Sequence, residues 1–285
     1  SMSQTNNPYA GTRQGAGQYQ IYTGLDNFQF LGVNPDKTTL EKWQGREISF
    51  DPSYDVVQDQ NGNNQRPLHI WLKGDVVGVQ RFILNIGNTP AIASGGNYQI
   101  ITSTGNITWA KSKKTEDNPN PEVKPQFADH KPLVAGEAAL ITFVQKLVSF
   151  DTRLGEDFYT QMQQLKQDAQ SVYNGDYSGL NKLAVDMDGT YVVFPMVVKD
   201  KDVAGSDGTV TTKQQMSIGA SQYNLDKVMF NGKVSDYVKG RFKENLDKDA
   251  NLLKGMYTVD LVPFNRDTVL NNVPNNPTTT VEWNS

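Results

Sequence analysis

Apolar and polar residues alternate along much of the first half of this 285-residue chain. Residues 28–34 (FQFLGVN) carry the period of a first strand, and Asn34-Pro35-Asp36 then stops it. Thr38 to Trp43 predicts a short helix ended by Gly45, a residue that accepts the left-handed backbone of a helix C-terminus. The stretch from Asp55 to Gln65 reads as a polar, Asn-rich loop. Four strand-like runs follow, at 67–73 (PLHIWLK), 78–86 (GVQRFILNI), 97–102 (NYQIIT) and 106–111 (NITWAK). Ser103-Thr104-Gly105, between the last two, has the length and the glycine of a hairpin turn. Short antiparallel strands at this spacing predict a small barrel or sandwich.

The period changes after a linker at 115–133, which contains Pro119, Pro121, Pro125 and Pro132. In GEAALITFVQKLVSF, Leu140, Phe143, Val144 and Leu147 recur at helical spacing, predicting an amphipathic helix over 136–149. A second, Gln-rich helix is expected over 156–170, and Ser178 to Lys182 adds a turn. Strands are expected again at 183–187 and 190–198, around the hairpin dipeptide Asp188-Gly189. Val203 to Thr212 reads as a loop or hairpin tip, followed by a strand near 213–219, a helix from Ser235 to Leu246 and a last strand from Tyr257 to Val262. The fold class expected is α+β and β-rich. It comprises a flexible arm over 1–24, one domain over 25–270 with a helical insertion at about 134–182, and a disordered tail over 271–285.

Composition narrows the chemistry. Hydrophobic residues make up 37% and charged residues 20%, low values that leave room for long polar loops. Twelve Tyr, twelve Phe and four Trp still supply large packing units, which excludes wholesale disorder. No run of about eighteen apolar residues offers a membrane span, and no charged-then-apolar leader is visible at the N-terminus. Without cysteine there is no disulfide, thiolate metal site or cysteine nucleophile. His69 and His130 are too few for a His-rich zinc site. Asp186-Met187-Asp188-Gly189 opens like a calcium loop but lacks the downstream ligands, so it reads as a turn. The G-x-G within Gly11 to Gly17 neither follows a strand nor opens a helix, and neither a P-loop nor a G-x-S-x-G elbow occurs. The expectation is a chain that needs no cofactor and is not an enzyme.

Charge is strongly segregated within a net of −4. Residues 66–115 hold six basic side chains against Asp75 alone, a net of +5, and the aromatics Trp71, Phe82, Tyr98 and Trp109 fall among them. Residues 116–190 carry a net of −6. Basic charge interleaved with aromatic rings suits an oligoanion whose bases can stack. Alternation places His69, Trp71 and Lys73 on one side of a strand, and Ile107, Trp109, Lys111 and Lys113 on one side of another. A flat π surface beside a phosphate partner is what a base-stacking groove requires. A Trp covered by the helical insertion, with its Lys reaching to water, gives the same pattern, and both readings stand for Trp71.

The succession VNPDKTTLEKWQG (33–45), HIWLK (69–73), NYQIITSTGNITWAK (97–111) and GEAALITFVQKLV (136–148) resembles the single-stranded-DNA-binding proteins of large tailed bacteriophages, the crAss-like group included. The resemblance implies an OB-like antiparallel β-barrel that coats single-stranded DNA without catalysis during phage replication, recombination and repair. It implies a place in the cytoplasm of the infected bacterium and partners among phage replication or recombination proteins. The binding residues expected are Lys73, Arg81, Lys111, Lys113 and Lys114 on phosphates, and Trp71, Tyr98 and Trp109 under bases. A structural or adhesive β-rich virion protein, suited by the Asn/Gln/Thr/Gly-rich loops, is the alternative. A nuclease is a third reading, for which the sequence offers no metal cluster.

Overall fold

The computed structural model describes residues 24–75, 77–101, 107–111, 132–149, 169–223 and 225–229. Its strands are β1 (Gly24–Val33), β2 (Val57–Gln58), β3 (Asn64–Gly74), β4 (Gly78–Gly87), β5 (Asn97–Ile101), β6 (Ile107–Lys111), β7 (Tyr191–Ala204) and β8 (Val210–Ile218). Helices α1 (Lys37–Gln44), α2 (Glu137–Ser149), α3 (Ser178–Asp186) and the single turn α4 (Leu225–Val228) separate them. Hydrogen bonding orders the larger sheet β2-β3-β1-β7-β8, with β4 on β3, and leaves β5 and β6 as a separate two-stranded ribbon. The pairs β1–β7, β2–β3, β5–β6 and β7–β8 are antiparallel. The protein is therefore mixed α/β with a β-rich antiparallel sheet. Among the described residues the sheet does not close into a barrel.

The chain forms two compact units. One gathers residues 1–31, 71–82 and 187–285, and the other gathers 32–70 and 83–186. Neither is a single stretch of sequence.

In the first unit, Phe194 on β7 packs edge-on against Phe28 at 5.9 Å between centroids and meets Phe82 at 5.8 Å. The three rings fill the space between strands, offset and tilted as aromatic quadrupoles prefer. Gly74, the last residue of β3, has no room for a Cβ, which would press on the Asp26 carboxylate and, at 2.8 Å, on Val77. The buried Asp26 carboxylate accepts from the backbone N–H of Asn27 and of Val77, at 2.8 and 2.9 Å. A buried carboxylate thus satisfies the amide of Val77 in the β3–β4 connection. The β7–β8 pairing runs from Met196↔Ile218 to Ala204↔Val210, well past the end of the β1–β7 pairing at Gly24↔Met196. At the tip, Gly205 N–H donates to the Thr209 carbonyl (2.7 Å) and Asp207 accepts from the Thr209 hydroxyl (2.6 Å).

In the second unit, β1 ends at Val33, one residue before the end expected at Asn34. Asn34 takes a positive φ of 43° and bonds along β3, accepting from His69 N–H (2.7 Å) and donating to the Pro67 carbonyl (3.1 Å). Asp36 then caps α1 through Thr39 N–H, and Gly45 ends the helix in left-handed backbone (φ 67°). Asn181 on α3 brackets β1, accepting from Val33 N–H at 2.8 Å and donating to its carbonyl at 3.2 Å. Helix α2 buries Leu140, Phe143, Val144 and Leu147, the apolar stripe read from the sequence. Within 134–182 the described residues form α2, a helical segment at 169–173 and the start of α3.

Three local expectations are corrected. Residues 183–186 belong to α3 and Met187 to the turn after it, not to a strand, so Asp188-Gly189 joins a helix to β7 instead of closing a hairpin. A five-residue run such as Leu183 to Met187 carries too little period to separate the two states. The 55–65 loop contains a small hairpin, with Val57 opposite Gln65 around an Asp59 turn. The tip expected over 203–212 is narrower, at 205–209. The N-terminal arm up to residue 23, the 103–105 turn, residues 156–168 of the Gln-rich helix, the helix at 235–246, the strand at 257–262 and the tail lie outside the described residues.

Candidate nucleic-acid interface

The β5–β6 ribbon pairs Asn97 with Lys111, Tyr98 with Ala110, Gln99 with Trp109, Ile100 with Thr108 and Ile101 with Ile107. Partners opposite each other share a face, so the register divides the ribbon in two. Tyr98, Ile100 and Ala110 form a buried cluster on the inner face. Trp109 is on the other face, 62% exposed, with Gln99 across from it.

The outer edge of β5 is tied down. Ala93 N–H donates to the Asn97 carbonyl at 2.7 Å and Leu133 N–H to the Gln99 carbonyl at 2.9 Å. A strand residue whose carbonyl faces away from its neighbour sits at a non-hydrogen-bonded position of the pair, where side chains approach most closely. Gln99 and Trp109 occupy such a pair. Among the described residues the Gln99 amide makes no hydrogen bond and the indole of Trp109 has no aromatic or cationic partner. A flat, wetted π surface therefore lies beside an open donor and acceptor on a fixed backbone.

Tyr98 is placed differently from the expectation. At 1% exposure its ring has no face to offer a base, and it joins the core on the side opposite Trp109. Its hydroxyl is buried with no hydrogen-bond partner among the described residues. The backbone of Lys111 continues β6 two residues beyond Trp109, opposite Asn97. Lys113 and Lys114 lie outside the described residues.

Trp71, Lys73 and Arg81 belong to the other unit. Trp71 is only 6% exposed, and the Arg81 guanidinium covers its ring at 5.5 Å from the centroid. Trp71 is therefore buried, with Arg81 lying over its ring. Lys73 is exposed at the end of β3, and Asp75 follows it in the turn. Partial burial pushes the Asp75 carboxyl above its usual range, against the opposing effect of a hydrogen bond from Asn27. Arg66, a further cation of the basic block, is committed to structure. Its guanidinium donates to the carbonyls of Tyr173 (2.6 Å) and Tyr54 (2.9 Å).

Gln99 is the candidate that sequence reading missed. Its strand parity in NYQIIT was legible, but its pairing with Trp109 needed the ribbon register. Among the described residues no cluster of three or more His, Asp or Glu could hold a metal ion. Among them, too, no helix is long and apolar enough to cross a membrane. No protein-family model, curated protein or solved structure matches this chain.

Proposed function

We propose that this protein binds single-stranded DNA without sequence preference and without catalysis, with the outer face of the β5–β6 ribbon as the stacking platform. The observation that carries the reading is Trp109, largely exposed on a two-stranded ribbon inside the one strongly basic stretch of an acidic chain. An exposed indole costs solubility and contributes nothing to a core, whereas base stacking on it contributes about 1–3 kcal/mol per nucleotide. Lys111, Lys113 and Lys114 follow Trp109 in sequence and supply phosphate partners. The resemblance to phage single-stranded-DNA-binding proteins supports the same reading and, with it, an OB-like barrel. On that reading the protein coats replication or recombination intermediates in the infected bacterium, alongside phage replication proteins.

Titration with oligo-dT tests it. Tryptophan emission is expected to quench on binding, and affinity is expected to fall steeply with salt. If roughly four to six phosphates are neutralised, the log–log slope is about −3 to −4. Duplex DNA of the same length is expected to bind far more weakly, because its bases are already stacked. Equal affinity for duplex and single strands, or no quenching at low salt, refutes the proposal.

A further inference from the structure

We infer that Gln99 is a base-edge contact, which makes the ribbon a reader of unpaired nucleobases and not only of charge. The inference rests on the proposed single-strand binding and names the group that would select for an unpaired base.

Three observations support it. Gln99 and Trp109 form a non-hydrogen-bonded cross-strand pair, so their Cβ atoms are about 4.5–5.5 Å apart and both side chains rise from the same face. A base lying on the indole therefore presents its edge within reach of the amide. The amide makes no hydrogen bond among the described residues, although it is half-buried and its backbone carbonyl is anchored by Leu133 N–H. With the backbone anchored and the amide without a protein partner, its donor and acceptor stay available to a ligand.

The chemistry of the amide fits every base. Gln carries one acceptor and a pair of donors side by side. Each nucleobase edge also presents hydrogen-bonding atoms next to one another, so rotation of the terminal amide matches any of them. Contact of this kind stays sequence-tolerant. In a duplex the pairing edge is occupied by the opposite base, so the same contact is lost. Stacking alone does not discriminate in this way against a base that swings partly out of its helix.

A neutral sugar ring can also lie on an exposed indole beside an amide. Lys111, Lys113 and Lys114, which follow Trp109 in sequence, favour a polyanion. A neutral oligosaccharide is therefore an arm of the test.

The experiment uses the full chain and two fluorescent oligomers of equal length, one of dT and one of abasic deoxyribose phosphate. The wild type is expected to bind the dT oligomer more tightly than the abasic one. Gln99→Leu keeps the size of the side chain and removes the hydrogen bonds. It is expected to weaken dT binding about three- to tenfold, the range for one net hydrogen bond, and to leave abasic binding unchanged. Gln99→Glu keeps an acceptor, loses the donor and adds a negative charge. Its affinity is expected to drop further, with the deficit shrinking as salt rises. Near-ultraviolet circular dichroism matching the wild type shows that both variants fold.

If Gln99→Leu weakens both oligomers equally, or neither, the base-edge role is overturned while single-strand binding stands. If the wild type does not distinguish dT from abasic oligomer, the stacking reading falls with it. Quenching of Trp109 by a neutral oligosaccharide, with none by dT, reassigns the ribbon to glycans and overturns both.

Discussion

The guanidinium of Arg81 lies over the ring of Trp71, 5.5 Å from its centroid. Two residues that the sequence places in a binding set are thereby engaged with each other inside one unit. The arrangement is a cation–π contact on a nearly buried indole, and its value is about 0.5–2 kcal/mol. Arg81→Ala is expected to lower unfolding free energy by about that amount in urea denaturation. Trp71→Ala is expected to cost about 3–5 kcal/mol, as for other large aromatic truncations in a core. Any loss of DNA binding in Trp71→Ala must therefore be measured on protein shown to be folded. A Trp71→Ala variant as stable as the wild type would contradict the burial described here.

Trp109 is expected to behave in the opposite way. Trp109→Ala removes an exposed ring, so its stability is expected to stay within about 0.5 kcal/mol of the wild type. Affinity for oligo-dT is expected to fall by about 1–3 kcal/mol, and by the same amount for the other homopolymers. Paired thermal melts and binding isotherms separate the two effects. Unchanged affinity would remove Trp109 from the interface.

The lysines after Trp109 are expected to act through salt. The double variant Lys111→Ala with Lys113→Ala is expected to reduce the magnitude of the log–log salt slope by about 1.4, at about 0.7 per phosphate contact on single strands. Binding measured at several salt concentrations gives the slope directly. Reduced affinity at an unchanged slope would mean that these cations do not meet phosphates.

Gly136 is a test of the fold. It precedes α2 with a φ of 77°, and a Cβ there would press on the Asn85 carbonyl. Left-handed backbone alone costs a non-glycine residue about 1 kcal/mol or more, and the clash is with main chain, which cannot swing aside. Gly136→Ala is expected to destabilise by more than that in chemical denaturation. Gly62→Ala pays the backbone cost without a clash, since nothing lies within 4 Å of its Cβ position, so it is the milder control.

Acid is expected to weaken α1 through its cap. Hydrogen bonds from Thr39 hold the Asp36 carboxyl below its ordinary value of 3.8. A depressed folded value means that the contribution is fully present above the ordinary value and is lost as pH falls through the folded one. Asparagine caps equally well without titrating. Asp36→Asn is therefore expected to match the wild type at neutral pH and to lose less stability on acidification. Asp75, raised by burial, has the opposite sign: its ionisation opposes folding, and that opposition is relieved as pH falls. Unfolding of both single Asn variants across pH 2–7, compared with the wild type, separates the two contributions. Parallel pH curves for Asp36→Asn and wild type would show that the cap carries no linked proton.

Much of this architecture is legible in the sequence because its signals are local. The alternation Leu68, Ile70, Leu72 against His69, Trp71, Lys73 defines the two sides of β3, and all three aliphatics are buried. Asp36 and Gly45 mark the ends of α1 through hydrogen-bonding and φ preferences that belong to single residues. The stripe in α2 is equally local. Where the signal was short, at 183–187, the sequence alone could not separate helix from strand.

Which side of a strand meets the core is not a local property. Strand parity alone puts Tyr98 and Trp109 on opposite faces only once Gln99 is known to stand across from Trp109, and it does not say which face is covered. That was decided by packing, which covers Tyr98, Ile100 and Ala110 and leaves Trp109 open. The same holds for the cations. Composition counted Arg66, Arg81 and the lysines alike, but the folded chain commits Arg66 to two carbonyls and Arg81 to an indole. The sequence determines which residues can stack, pair or cap, because those capacities reside in each side chain. Only tertiary packing determines which of those capacities remain unspent, because spending them takes partners that the chain brings together by folding.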